Sequence, residues 1–209
     1  MPTASPQASP GPPAFESSPP GQAGPQPSDF LLPVIDDETR PFWEGTLAGE
    51  LLVQACATCG RLRFPPRPMC PSCHSNKRLW KAMSGRGSIW SFAVPHPPLL
   101  AAYESLAPYN VVVVSLAEDQ AIRLVGNLVS GSPRQRATVD ASRHGEAGTE
   151  AAGDRLAGSP GEILRRANPG PIEIGEAVSV VFTLVTAPDG TLTSLPSWIR
   201  AEGQAPATL

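Results

Sequence analysis

The stretch from Leu51 to Trp80 reads LLVQACATCGRLRFPPRPMCPSCHSNKRLW, and it holds all four cysteines of the chain. Cys56 and Cys59 form one Cys-x2-Cys pair, Cys70 and Cys73 a second, with ten residues between. Each pair makes a tight knuckle whose thiolates converge on one point. Ten residues let the backbone leave the first knuckle, turn and return with the second. This is the spacing of a structural zinc site with four soft thiolates, tetrahedral and without an open position. Gly60 follows the first pair, where a knuckle often needs a residue with positive φ. Two disulfides or a redox Cys-x-x-Cys are the competing readings. A disulfide inside one Cys-x2-Cys is strained, and a redox motif does not usually occur twice at knuckle spacing. So short a ribbon buries little apolar surface, and metal binding would supply most of its folding free energy. A site with four protein ligands leaves no place for substrate or water, so the zinc is expected to be structural rather than a Lewis acid.

Composition narrows the class. The net charge is −3, which gives no global basic field for nucleic acid. No apolar run approaches the ~18 residues of a membrane span. The N-terminus lacks the basic start and apolar core of a signal peptide. Thiolates kept for zinc, with no cysteine left over, fit a reducing cytoplasm. Of 26 prolines, nine precede Ser28. Residues 1–29 are therefore expected to be a disordered Pro-rich tail, or a linker following an upstream domain.

Residues 30–50 are expected to carry a short helix over 36–49. Asp36 or Asp37 can cap it, Pro41 is tolerable only in its first turn, and Gly49 suits its stop. Phe42, Trp43 and Leu47 form an apolar stripe. The stripe can pack on its own domain, or Phe42 and Trp43 can bury against another subunit. The ribbon occupies 51–83, entered by a strand at 51–55. Between its knuckles stand Arg61, Arg63, Phe64 and Arg67. Arginines on a zinc-held loop suit phosphate recognition, and a solvated charged loop is the alternative.

After Trp80 the pattern changes to period two with β-branched residues. Strands are expected at 87–95, 109–117, 121–129, 177–186 and 191–195, with turns at 118–120 and 188–190 and a bulge at Gly126. Five strands with little helix in ~100 residues point to an antiparallel barrel of the OB type over residues 84–200. A polar, Gly/Ala-rich stretch at 131–170 interrupts it and is expected to be a flexible insertion in which only 161–167 hints at a helical turn. Residues 201–209 read as a tail. Of the three histidines, His74 would be a fifth ligand and is expected in solvent or beside the site. His144 falls in the insertion. His96 lies where a strand leaves the barrel, within reach of a ligand. No Ser-His-Asp set or phosphate-cradling glycine loop can be placed.

A family resemblance now emerges. The order is Pro41-Phe42-Trp43-Glu44-Gly45, Cys-x2-Cys-Gly, Phe64-Pro65-Pro66-Arg67, Cys-Pro-x-Cys and Ser84-Gly85-x-Gly87. It continues through Pro108-Tyr109, Gly126-Asn127-Leu128-Val129, Ile174-Gly175 and Leu195-Pro196-x-Trp198. This strongly resembles the acyl-CoA-associated proteins built from a rubredoxin-like zinc ribbon and an OB fold, long known only as a domain of unknown function. The resemblance covers 36–130 and 168–200. It implies an accessory subunit without catalytic groups of its own. It would bind a thiolase-like lyase or acyltransferase and complete that enzyme's acyl-CoA site. Retro-aldol cleavage of a steroid side-chain CoA thioester is the foremost reaction, and a partnership with an enoyl-CoA hydratase is the alternative. The ligands implied are structural zinc and a CoA thioester, the latter near Arg61, Arg63, Phe64, Arg67 and His96. Two other classes compete. One is a single-stranded nucleic-acid module, disfavoured by the acidic balance. The other is a stand-alone enzyme using His96 with Glu104.

Overall fold

The computed structural model describes residues 30–130, 154–157, 160–168, 170–186 and 192–201. The expectations for 1–29, for the first part of the insertion, for His144, for the turn at 188–190 and for most of the C-terminal tail fall outside that set. The chain opens with helix α1 (Arg40–Ala48). Asp36 accepts the Thr39 N–H at 2.8 Å and the Thr39 hydroxyl at 2.7 Å, which sets the turn that leads into the helix. Pro41 sits in its first turn, and Gly49 ends it in the left-handed region.

The ribbon sheet follows, with strands β1 (Leu51–Cys56), β2 (Leu62–Arg63) and β3 (Arg78–Met83) in the order β2-β1-β3. Next come β4 (Arg86–Ala93), α2 (Ala101–Glu104), β5 (Val111–Leu116), β6 (Arg123–Gly126), β7 (Asp154–Ala157), α3 (Pro160–Arg166), β8 (Ala177–Thr186) and β9 (Leu192–Arg200). Strands β6-β5-β4-β8 lie side by side, and β9 pairs with β8 along its length. A parallel bridge between Leu128 and Trp198 then joins the β6 end to β9. Trp198 N donates to Asn127 O at 2.8 Å, and Val129 N donates to Trp198 O at 2.8 Å. Five strands thus close a nearly complete barrel with the connectivity of an OB fold, and the chain is mainly β as its sequence predicts.

The strand pattern explains itself by alternation. Val112, Val114 and Leu116 point into the barrel, as do Ile89, Leu124, Val178, Val180 and Phe182, around the fully buried Trp198. Gly126 allows the seam to close rather than marking a bulge. A Cβ there would lie 2.9 Å from the Pro196 carbonyl oxygen and 2.9 Å from Trp198 Nε1. The bulge lies instead in β4, between Ile89 and Ser91. The last strand runs well past its expected end at 195. Pro196 cannot donate to the ladder, but Trp198 and Ile199 bury beyond it and carry the strand on.

The structure departs from a wholly flexible insertion over 131–170. Asp154–Ala157 pairs in parallel with β8, and α3 packs against the outer face of β8 and β9. Ile163 and Ala167 of this segment pack with Val129, Val181, Val185 and Ile199. Asn110, itself buried, donates from Nδ2 to the Leu128 carbonyl at 2.8 Å and to that of Ala167, and its Oδ1 accepts the Leu128 N–H at 2.7 Å. One amide side chain therefore ties the start of β5, the end of β6 and the exit of α3. Three apolar side chains in a Gly/Ala-rich background are a faint signal, and only the barrel's outer wall gives them something to cover.

Ribbon and barrel share one core. Phe42, Leu51, Val53 and Met83 belong to the same buried cluster as the barrel interior. The Thr46 hydroxyl, buried, donates to the Ser194 carbonyl at 3.0 Å and so fastens α1 to β9. Among the described residues no helix is long and apolar enough to cross a membrane.

Candidate metal centre and ligand-facing residues

The two knuckles are built alike. The Gly60 N–H donates to the Cys56 carbonyl at 2.9 Å, and the His74 N–H donates to the Cys70 carbonyl at 2.9 Å. Cys56 N donates to Arg61 O at 3.0 Å, and Cys70 N donates to Ser75 O at 3.0 Å. Both turns need a left-handed residue after the second cysteine. Gly60 takes φ 74° at no steric cost, and His74 takes φ 58°. The exposed His74 is thus a turn residue of the second knuckle.

The four sulfur atoms lie within 4.8 Å of one another. Cys56 and Cys73 Sγ are 3.5 Å apart, Cys59 and Cys70 Sγ 3.7 Å. A tetrahedron with zinc–sulfur bonds of about 2.3 Å has edges of about 3.8 Å, so the quartet is already near the size the ion requires. The backbone prepares the charge as well. The Cys59 N–H, more than any other group, lowers Cys56 to about 6. Cys70 is also lowered, chiefly by the Ser72 N–H. Cys73 accepts a lowering hydrogen bond from the Ser75 N–H, yet the Cys56 sulfur, burial and the other two sulfurs push it up to about 12. Four like charges at this spacing need a cation among them.

Of the other expected residues, Arg61, Arg67 and His96 are exposed. Arg63 pairs across the sheet with Gln54 and is only 6% exposed. Its Nε donates to Gln54 Oε1 at 2.5 Å, and the same oxygen accepts the Arg67 N–H at 2.9 Å. Arg63 is therefore turned into the ribbon and cannot reach out as a phosphate arm. The reason is register. A two-residue strand sets Arg63 opposite the fully buried Gln54, which spacing along the loop does not reveal. Phe64 packs beside the core, 5.2 Å from the Phe42 ring. Phe42, expected at a partner interface, is 4% exposed and belongs to the core of its own chain. Trp43 lies edge-on to it at 4.9 Å and is part-buried.

The fold and the cysteine quartet together define a zinc-ribbon protein with an OB barrel, and comparison with known proteins agrees. Residues 43–77 match the model of the ChsH2 rubredoxin-like zinc ribbon domain, and residues 80–142 match that of the ChsH2 C-terminal OB-fold domain. The chain thus resembles the ChsH2 zinc-ribbon and OB-fold proteins in both of these domains. It is similar to a chain of the solved Ltp2-ChsH2(DUF35) aldolase, with 28% identity and a TM-score of 0.53, over 81% of this chain and 98% of that one. It is 38% identical over 101 residues to the "Probable enoyl-CoA hydratase alpha subunit" of Thermomonospora curvata, covering 48% of this chain and 30% of that protein. It is 33% identical over 107 residues to the 3-oxo-4,17-pregnadiene-20-carboxyl-CoA hydratase alpha subunit of Mycobacterium tuberculosis, covering 51% and 33%. The chain thus spans about a third of the length of these two curated relatives.

Proposed function

We propose that this chain is the accessory subunit of an enzyme complex acting on acyl-CoA thioesters. Its partner is a thiolase-like enzyme, and the foremost reaction is retro-aldol cleavage of a steroid side-chain CoA thioester. The likeness along nearly the whole of a ChsH2(DUF35) aldolase chain carries this reading. The chain's own chemistry is consistent with it. Four thiolate positions leave the metal no open coordination site, and the histidines of the described residues, His74 and His96, are exposed and not members of the quartet.

Cys56, Cys59, Cys70 and Cys73 would hold zinc, which when bound supplies a cross-link between the two knuckles and no reacting group. Everything else this chain contributes is shape: the ribbon and α1 brace one flank of the barrel, and the barrel wall is offered to substrate and partner. In the cleavage, the partner's base takes the β-hydroxyl proton of the thioester. The electrons of the broken C–C bond pass into the thioester enolate, which is then protonated.

Mixing the purified chain with a thiolase-like enzyme encoded beside it should give co-elution, a rise in the partner's melting temperature and a gain in its lyase activity. Two separate peaks with unchanged stability would defeat the reading. The hydratase alpha subunits among the relatives favour a second arrangement, in which the same surface serves an enoyl-CoA hydratase. Co-elution with that enzyme alone would select it.

A further inference from the structure

Strand β5 carries the run Val111-Val112-Val113-Val114, apolar on both of its faces. A strand of that kind is normally covered on both sides. Val112 and Val114 point into the barrel, where both are fully buried. Val111 and Val113 point to the outer wall. There Val113 lies opposite Val125 of β6, which is 60% exposed, and Val111 opposite the exposed Ala93 of β4. The β4 bulge adds Trp90 to the same wall as an extra residue, 50% exposed. Arg123 of β6 lays its guanidinium 3.7 Å over the Trp90 ring. The β8 and β9 side of the wall is covered by α3. On the β4, β5 and β6 side Trp90 and Val125 stay open among the described residues. Three strands and about four residues of each make a face on the order of 200 Å². That is the apolar core of an interface, which a polar rim would complete.

The rest of this chain lacks the means to cover it. Outside the described residues the large apolar side chains are Met1, Phe15, Val139 and Leu209, set among prolines, alanines, glycines and polar groups. A second copy is ill matched for another reason. Arg123 is a cation on this face, and among the described residues it has no carboxylate partner. The acids of the adjoining turn, Glu118 and Asp119, accept the Ser84 and Ala121 N–H groups. A two-fold pairing of the face with itself would desolvate two Arg123 cations with no acid between them. The occupant that fits is a different protein whose surface sets a carboxylate among apolar side chains. That carboxylate would accept the N–H edge of a guanidinium that Trp90 already holds flat. Tryptophan and arginine are also the residue types that most often anchor protein interfaces.

We infer that the outer wall of β4, β5 and β6 is the surface on which the thiolase-like enzyme docks, with Trp90 and Arg123 as anchors and a carboxylate of the enzyme on Arg123. The inference rests on the accessory-subunit reading above and supplies its contact surface. It takes the place of an interface through Phe42, which is committed to the core of its own chain.

The test is calorimetric titration of the full chain with the thiolase-like enzyme encoded beside it, with dissociation followed by surface plasmon resonance. Trp90→Ala and Arg123→Ala should each weaken binding at least tenfold, chiefly through faster dissociation, as happens when a desolvated charge pair is cut. Arg123→Glu should abolish measurable binding. Val125→Ser should give a smaller loss and serves where another variant fails to fold. Zinc content and circular dichroism should match the parent's throughout. Val34→Ser, at a 90% exposed position in the segment before α1, should bind as the parent does. Parent affinity in both Trp90→Ala and Arg123→Glu overturns the docking surface and leaves the accessory role standing. No binding by the unsubstituted chain removes the accessory role, and this surface with it. A dimer of the chain alone that Trp90→Ala disperses in sedimentation also overturns the inference, giving the face to a second copy. So does weakening confined to an enoyl-CoA hydratase.

Discussion

Cys59→Ser and His74→Gly separate ligand from turn at the scale of single residues. The first should lose zinc and unfold the ribbon, because a hydroxyl is a poor substitute for thiolate and small zinc modules need their metal to fold. The second should keep full zinc content and gain up to about 1 kcal/mol, since glycine holds the left-handed conformation of the knuckle without strain. Elemental analysis with thermal denaturation checks both, and metal loss in the glycine variant would mean the imidazole does more than turn the chain. Protonation follows from the same quartet. Cys73 sits at about 12, so at neutral pH metal must displace its proton, and each rise in pH strengthens binding across that range. Cys56, at about 6, adds a further loss of affinity only as pH falls through that value. Zinc calorimetry in buffers of different ionisation enthalpy should show proton release near pH 7.5. Of these residues the sequence discloses the quartet and Gly60, because covalent spacing is local. The fate of Arg63 depends on which strand face it occupies, and that is decided by pairing with Gln54.

Among the elements, the seam and the α3 cap carry the barrel. Asn110→Leu removes the side-chain bonds to Leu128 and Ala167 and leaves the buried Leu128 N–H without its side-chain acceptor. It should cost about 2–4 kcal/mol, read as a drop in the denaturation midpoint with an unchanged slope. A near-neutral effect would mean that α3 docks by apolar contact alone. The five barrel strands are legible in sequence because alternating β-branched residues report a buried face directly. Gly126 reads as a bulge because glycine in a strand signals close approach without saying to what, here the Pro196 carbonyl and the Trp198 ring. The helical turn expected at 161–167 forms as α3, but its docking is not legible. Its few apolar residues become a face only when the barrel's outer wall is there to receive them.

For the whole molecule, the decisive fact is that helix, ribbon and barrel bury into one another. The composition boundary near residue 83 suggests separate units, but Phe42, Leu51, Val53 and Met83 pack into the barrel's own cluster. Stripping zinc with a chelator should therefore lower the melting temperature of the barrel along with that of the ribbon, in one transition. Two resolved transitions, the upper one indifferent to chelation, would show that the shared core does not couple them. The Thr46 to Ser194 hydrogen bond has a practical corollary for anyone building hybrids of these proteins. The splice point is not the junction between β3 and β4 that a domain map invites. A ribbon grafted from a relative must bring its leading helix and set that helix's hydroxyl against a carbonyl of the host's last strand, or the graft will rest on its apolar contacts alone.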